Sequence, residues 1–101
     1  MPEIIKGGRI TDLKPGDARV IEAAGKSIAL CNLDGTFYAL DNTCAHRGGP
    51  LGEGFLDGDK VTCPWHGWQY ELATGRCATN PAASVARYET RIEGDEVLIV
   101  L

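Results

Sequence analysis

The spacing of apolar and polar positions along the chain predicts short strands rather than helices. Ala18-Arg-Val-Ile-Glu-Ala23 mixes β-branched and polar residues, and Ala24-Gly25 turns the chain after it. Lys26-Ser-Ile-Ala-Leu-Cys31 follows as a second strand, Asn32-Leu-Asp-Gly35 is a hairpin signal, and Thr36-Phe-Tyr-Ala-Leu40 is the returning strand. Near the C-terminus Val85 to Ile92 alternates in part, Glu93-Gly94-Asp95 makes a turn, and Glu96-Val-Leu-Ile-Val-Leu101 is an apolar run. No stretch keeps the helical period over the length a stable helix needs. The expectation is an all-β framework.

Between the strand-rich ends lies a segment of different character, from about residue 42 to residue 81. It holds three of the four cysteines, both histidines, both tryptophans and seven of the thirteen glycines. Glycine-rich loops carrying soft ligands predict a metal-binding insertion on a small β scaffold. No repeat, low-complexity tract or linker divides the chain, so residues 1–101 read as a single domain. A chain of this length buries only about two-thirds of its unfolded surface, which allows a modest core.

Charge and composition narrow the function classes. Fourteen acidic against ten basic residues give a formal net charge of −4, and no basic stripe carries interleaved aromatics, which argues against nucleic acid as partner. No run approaches the ~20 apolar residues of a membrane helix. The start, Met1-Pro-Glu-Ile-Ile-Lys-Gly-Gly8, lacks the apolar centre and small-residue cleavage site of a signal peptide. A cytoplasmic location is therefore expected, and cysteines in a reducing compartment read as metal ligands or buried thiols.

Two short motifs concentrate the chemistry. Cys44-Ala-His46 is separated by sixteen residues from Cys63-Pro-Trp-His66, so each motif offers one thiolate and one imidazole. That donor set suits zinc or an iron–sulfur cluster. Zinc sites of two Cys and two His usually pair like with like. Here the two alternate, which favours a cluster with both cysteines on one iron and both histidines on the other.

With these motifs in place the sequence resembles the Rieske family. Cys44-Ala-His46-Arg-Gly-Gly-Pro-Leu51 and Cys63-Pro-Trp-His-Gly-Trp68 are similar to its two cluster-binding loops. Tyr70-Glu-Leu-Ala-Thr-Gly75 is similar to the turn after the second loop, and Asn80-Pro81 to a proline-containing loop that covers the cluster. The resemblance implies an antiparallel β-sandwich with a smaller inserted cluster-binding subdomain, and one two-iron, two-sulfide cluster. Cys44 and Cys63 would bind the inner iron, and His46 and His66 the outer iron that changes charge on reduction. Two ferric ions, two sulfides and two thiolates sum to zero charge, whereas four thiolates would leave −2. Imidazole ligation therefore makes such a cluster easier to reduce.

Neighbouring residues fit that expectation. Gly48, Gly49 and Gly67 would let the backbone approach cluster sulfurs, Pro50 and Pro64 would stiffen the loops, and Trp65 and Trp68 would shield the cluster from water. The Rieske subunits of quinol-oxidising complexes carry a disulfide between the loops and a serine near the cluster. Gly49, Trp65 and Trp68 stand at those positions here, so a potential toward the low end of the ~−150 to +300 mV Rieske range is expected. Cys31 reads as a small buried hydrophobe and Cys77 as an inert thiol near the site.

An oxygenase iron needs two histidines and a carboxylate beyond the cluster ligands. Both histidines are already used, and no dinucleotide fingerprint is present. The chain is expected to be an electron-transfer component rather than an enzyme, accepting electrons from a flavin-dependent reductase and delivering them to a terminal oxygenase. A small Rieske subunit of a nitrite reductase, working with its large subunit, is the second reading. A structural zinc-binding interaction module is the third. Glu53, Asp57 and Asp59, between the ligand loops, are candidate docking charges.

Overall fold

The computed structural model describes residues 3–23, 25–43, 49–65, 67–80 and 82–101. Nine strands run through them: β1 (Ile4–Arg9), β2 (Ala18–Ala23), β3 (Lys26–Leu33), β4 (Thr36–Asp41), β5 (Phe55–Asp57), β6 (Lys60–Thr62), β7 (Gln69–Glu71), β8 (Arg87–Glu93) and β9 (Glu96–Val100). A single 3-10 turn, Leu51–Glu53, precedes β5, and no α-helix occurs among the described residues. All strand pairs are antiparallel.

The larger sheet has the order β1-β9-β8-β4-β3-β2, and the smaller one the order β5-β6-β7. β8 joins the two halves of the larger sheet. Arg87 and Tyr88 pair with Leu40 and Ala39 of β4, whereas Glu89 to Glu93 pair with β9. The sheet folds over on itself, and Ile28, Leu30, Phe37 and Ala39 of one half meet Val97 and Ile99 of the other in a buried cluster. Gly7 shows how close the halves come. A Cβ built there would lie 3.2 Å from both Leu30 Cδ2 and Ile99 Cδ1. The register of β1 slips between Lys6 and Gly8, a bulge that Gly8 accommodates at φ 113°.

β3 is buried on both faces. Ile28 and Leu30 point into the sandwich, while Ala29 and Cys31 face a second buried cluster shared with Leu51, Val61, Tyr70 and Leu72 of the inserted segment. This explains why the sequence there is an almost unbroken apolar run rather than an alternation. The expected antiparallel β-sandwich with a smaller subdomain is therefore the observed architecture, and the insertion stands on the outer face of β3 and β4.

Three details differ from the sequence reading. β3 continues to Leu33, so the turn is Asp34-Gly35, with φ of 50° and 93° as a type I′ hairpin requires. Asn32 belongs to the strand because its buried amide donates to the Leu13 carbonyl at 2.7 Å and accepts the Gly35 N–H at 2.7 Å. β8 begins at Arg87 rather than Val85, and β1 and the three short strands of the insertion are additional. Ala24, placed in a turn by the sequence, lies outside the described residues.

Candidate metal centre

The insertion forms by local pairings too short to show an alternation. Phe55, Leu56 and Asp57 pair with Thr62, Val61 and Lys60, and those in turn with Gln69, Tyr70 and Glu71. Leu56, Val61 and Tyr70 face inward, and Val61 and Tyr70 are fully buried. This small sheet launches the loop that carries the second Cys/His motif directly from β6. Cys63 follows Thr62, donates its N–H to the Trp68 carbonyl at 2.8 Å and accepts the Gly67 N–H on its own carbonyl at 3.0 Å. The loop is thus a tight turn whose first residue is fixed at both backbone groups.

The segment that carries the first Cys/His motif is closed at its base. Thr43 and Pro50 form an isolated bridge across it, and the Asp41 carboxylate accepts the Thr43 N–H at 2.9 Å. Asn42, buried just after β4, accepts the Leu51 N–H at 2.8 Å and, on Oδ1, the Gly52 N–H at 2.6 Å. Its own N–H and Nδ2 reach back to the Ser27 carbonyl and Oγ of β3, at 3.0 and 3.1 Å.

The two loops meet at Gly49. A Cβ built on this buried glycine would lie 2.7 Å from Cys63 Sγ and 3.1 Å from Cδ2 and Cγ of Trp65. The Cys63 thiol therefore faces the backbone of the segment that carries Cys44 and His46. Cys63 is 2% exposed and Trp65 is 57% exposed. Trp65 was expected to shield the site from water; it lies across Gly49 with much of its ring in solvent and bridges the loops. Trp68 is half-buried and packs against the cluster that contains Cys63, Tyr70 and Cys77.

Cys44, His46 and His66, together with Gly48 and Pro81, lie outside the described residues. Of the four residues picked from the sequence, Cys63 is the one whose surroundings are described. A buried thiol directed at a glycine backbone, on a loop held by backbone hydrogen bonds, fits a soft metal ligand. The donor set of two thiolates and two imidazoles fits a two-iron, two-sulfide cluster.

The other two cysteines have separate roles. Burial pushes the Cys31 thiol up to about 12, so it stays protonated and inert on the face of β3 that the insertion covers. Cys77 is 1% exposed and its Sγ accepts the Asn80 N–H at 3.3 Å, which holds the loop that leads to Pro81. Among the proposed docking charges, Asp59 is paired with Lys60 at 3.0 Å, whose ammonium holds its carboxyl below the usual range, and Asp57 accepts from Gln69 Nε2 at 3.0 Å. Both are engaged within the insertion. The sequence marked Gly49 as a place of close backbone approach but not its contact with Cys63, and it did not reveal the Asn42 hydrogen bonds, because an asparagine there is an ordinary turn residue.

Comparison with known proteins agrees with this geometry. The family model described as the Rieske [2Fe-2S] domain matches residues 4–89. The chain is 34% identical over 91 residues to the ferredoxin component of the naphthalene 1,2-dioxygenase system of Pseudomonas aeruginosa, covering 89% of this chain and 88% of that one. A chain in the complex of reduced oxygenase and oxidized ferredoxin of carbazole 1,9a-dioxygenase superposes with a TM-score of 0.88 at 32% identity, over 95% of this chain and 91% of that one. A Mycobacterium tuberculosis chain described as an NADH-dependent nitrite reductase small subunit superposes with a TM-score of 0.93 over 100% and 96%, at 21% identity, a likeness of fold. With its loops meeting at a buried thiol and its matched span covering both motifs, the chain belongs to the Rieske [2Fe-2S] domain family, and its cofactor is a Rieske-type two-iron, two-sulfide cluster.

Proposed function

We propose that Cys44, His46, Cys63 and His66 hold the cluster, and that the chain carries single electrons from a flavin-dependent reductase to a terminal oxygenase. The observation that carries this reading is the approach of Gly49 to Cys63 Sγ, which brings the two motif-bearing segments together at a thiol. The ferredoxin components among its relatives support the role of carrier. The cluster, when bound, supplies one reversibly held electron and no bond chemistry, so the protein's part is to bind, orient and partly shield it.

The buried Cys63 holds its side of the site away from water, and its pinned backbone limits the motion that accompanies a change in charge. Trp65 leaves an apolar, exposed surface beside the second motif where a partner can approach closely. Residues 1–101 are read as one domain, with residues of about 42–81 as its cluster-binding subdomain. A cytoplasmic location fits the ferredoxin-type relatives, and no helix of the described residues is long and apolar enough to cross a membrane. The small-subunit role in a nitrite reductase remains the second reading, favoured by the fold likeness to the Mycobacterium tuberculosis chain. The zinc module finds no support in the family match.

Anaerobic purification tests the site and the role together. The protein should be red-brown, hold two irons per chain and give a reduced-state EPR signal of a Cys/His-ligated cluster. It should also accelerate electron flow from a flavoprotein reductase to a Rieske oxygenase. A colourless protein holding one zinc would overturn the reading of the site. Faster reduction of a nitrite reductase large subunit than of an oxygenase would move the role to the second reading.

A further inference from the structure

One side chain closes the first ligand-bearing loop at its mouth. Asn42 makes two backbone and two side-chain hydrogen bonds: its N–H and Nδ2 donate to Ser27, and its carbonyl and Oδ1 accept from Leu51 and Gly52. Ser27 stands at the start of β3, and Leu51 and Gly52 open the 3-10 turn on the far side of the loop. Both ends of segment 43–50 are therefore tied to the sandwich wall through one residue. A Cβ built on Gly52 would lie 2.8 Å from the Arg19 carbonyl oxygen and 2.7 Å from Val20 Cγ2, so the turn already rests on β2.

We propose that Asn42 is the positioning residue of the first ligand loop, its side-chain amide setting the register in which Cys44 and His46 meet the cluster. This rests on the four-ligand reading above. The amide serves both contacts without charge: Oδ1 accepts from the buried Gly52 N–H and Nδ2 donates to the Ser27 hydroxyl. Leucine serves neither, and a carboxylate, which could accept from both, would bring a charge into a buried position. Removing the amide leaves the buried Gly52 N–H without its acceptor, and that penalty falls where the Leu51–Glu53 turn closes the loop.

The molecule contains its own matched control. Asn32 is also buried and also uses both ends of its amide, donating to the Leu13 carbonyl and accepting from Gly35. It sits at the other end of β3, five residues beyond Ser27 and so roughly 17 Å away along the strand. Asn42→Ala and Asn32→Ala remove the same chemistry from the two ends of one strand.

The test compares wild type, Asn42→Ala, Asn32→Ala and Ser27→Ala after anaerobic reconstitution. It follows iron release to a chelator, the reduced EPR spectrum and urea unfolding of the cluster-free protein. Asn42→Ala should release iron about tenfold faster, equivalent to ~1.4 kcal/mol, and its EPR lines should broaden as ligand orientations spread. Asn32→Ala should unfold at lower urea while keeping wild-type lines and release rate. Wild-type release and lines in Asn42→Ala, or equal changes in both asparagine variants, would overturn the proposal. Where Asn42→Ala does not fold, Ser27→Ala decides: it removes one side-chain partner and should give an intermediate release rate, whereas wild-type behaviour counts against the proposal. Wild-type protein that takes up no cluster would instead overturn the four-ligand reading itself.

Discussion

Alanine at Gly49 should loosen the grip of the two ligand-bearing segments on each other. The new Cβ would lie 2.7 Å from Cys63 Sγ, about 1 Å inside the roughly 3.5–4.0 Å at which such atoms are comfortable. The contacts with Trp65 at 3.1 Å relax easily, because that ring is 57% exposed and can swing outward. Cys63 cannot follow. It is buried, and its N–H and carbonyl are held by Trp68 and Gly67. The first loop must therefore withdraw, at a cost typical of overpacking, about 1–3 kcal/mol. Affinity for the cluster should fall roughly five- to 150-fold, and occupancy at limiting iron with it.

Gly67→Ala separates this contact from simple backbone strain. Gly67 has φ of 75° with nothing within 4 Å of a built Cβ, so its substitution costs about 1 kcal/mol of conformation without a clash. Reconstitution under limiting iron, read by visible absorption and iron-to-protein ratio, should rank wild type first, Gly67→Ala second and Gly49→Ala last. Adding Trp65→Ala to Gly49→Ala should recover little, because the contact with the sulfur persists. A Gly49→Ala protein with wild-type occupancy and spectrum would refute the reasoning.

Burial and packing elsewhere in the fold set two further outcomes. Burial raises the Cys31 thiol to about 12, so the native state keeps a proton that the unfolded chain loses above its ordinary value near 9. Stability is then fully present below pH 9 and should fall with rising pH by up to ~1.4 kcal/mol per unit, and urea unfolding of Cys31→Ala should lack that slope. Gly7→Val should destabilise the sandwich by about 1–3 kcal/mol without altering the EPR spectrum, because its side chain would press on Leu30 and Ile99 far from the ligand loops. Thermal unfolding within 0.5 kcal/mol of wild type would contradict that packing.

β2, β3, β4, β8 and β9 were legible because apolar positions and turn signals mark them, whereas β1 was not, because its register slips at the glycine pair Gly7-Gly8. The apolar run from Ile28 to Cys31 marked a strand but concealed that each face meets a different cluster, since periodicity vanishes when both faces are buried. β5, β6 and β7 span three residues each, too few to alternate, and their order is imposed by pairing with one another and by Val61 and Tyr70 beneath them. The Cys/His motifs were legible as chemistry from spacing alone. Their support was not, because the contact of Gly49 with Cys63 and the reach of Asn42 to Ser27 and Gly52 join positions 10 to 15 residues apart or more through folding alone.

β3 is a party wall: the sandwich leans on one side and the insertion on the other. A chain that loses its insertion, by proteolysis between β4 and β8 or by failure of the segment to settle around iron, uncovers Ala29, Cys31 and Leu40 together. That surface is an apolar sheet face, of the kind that recruits neighbouring chains into aggregates. Iron supply and colloidal behaviour should thus be linked in this protein, with starvation for iron showing itself first as insoluble chain rather than as soluble, colourless carrier.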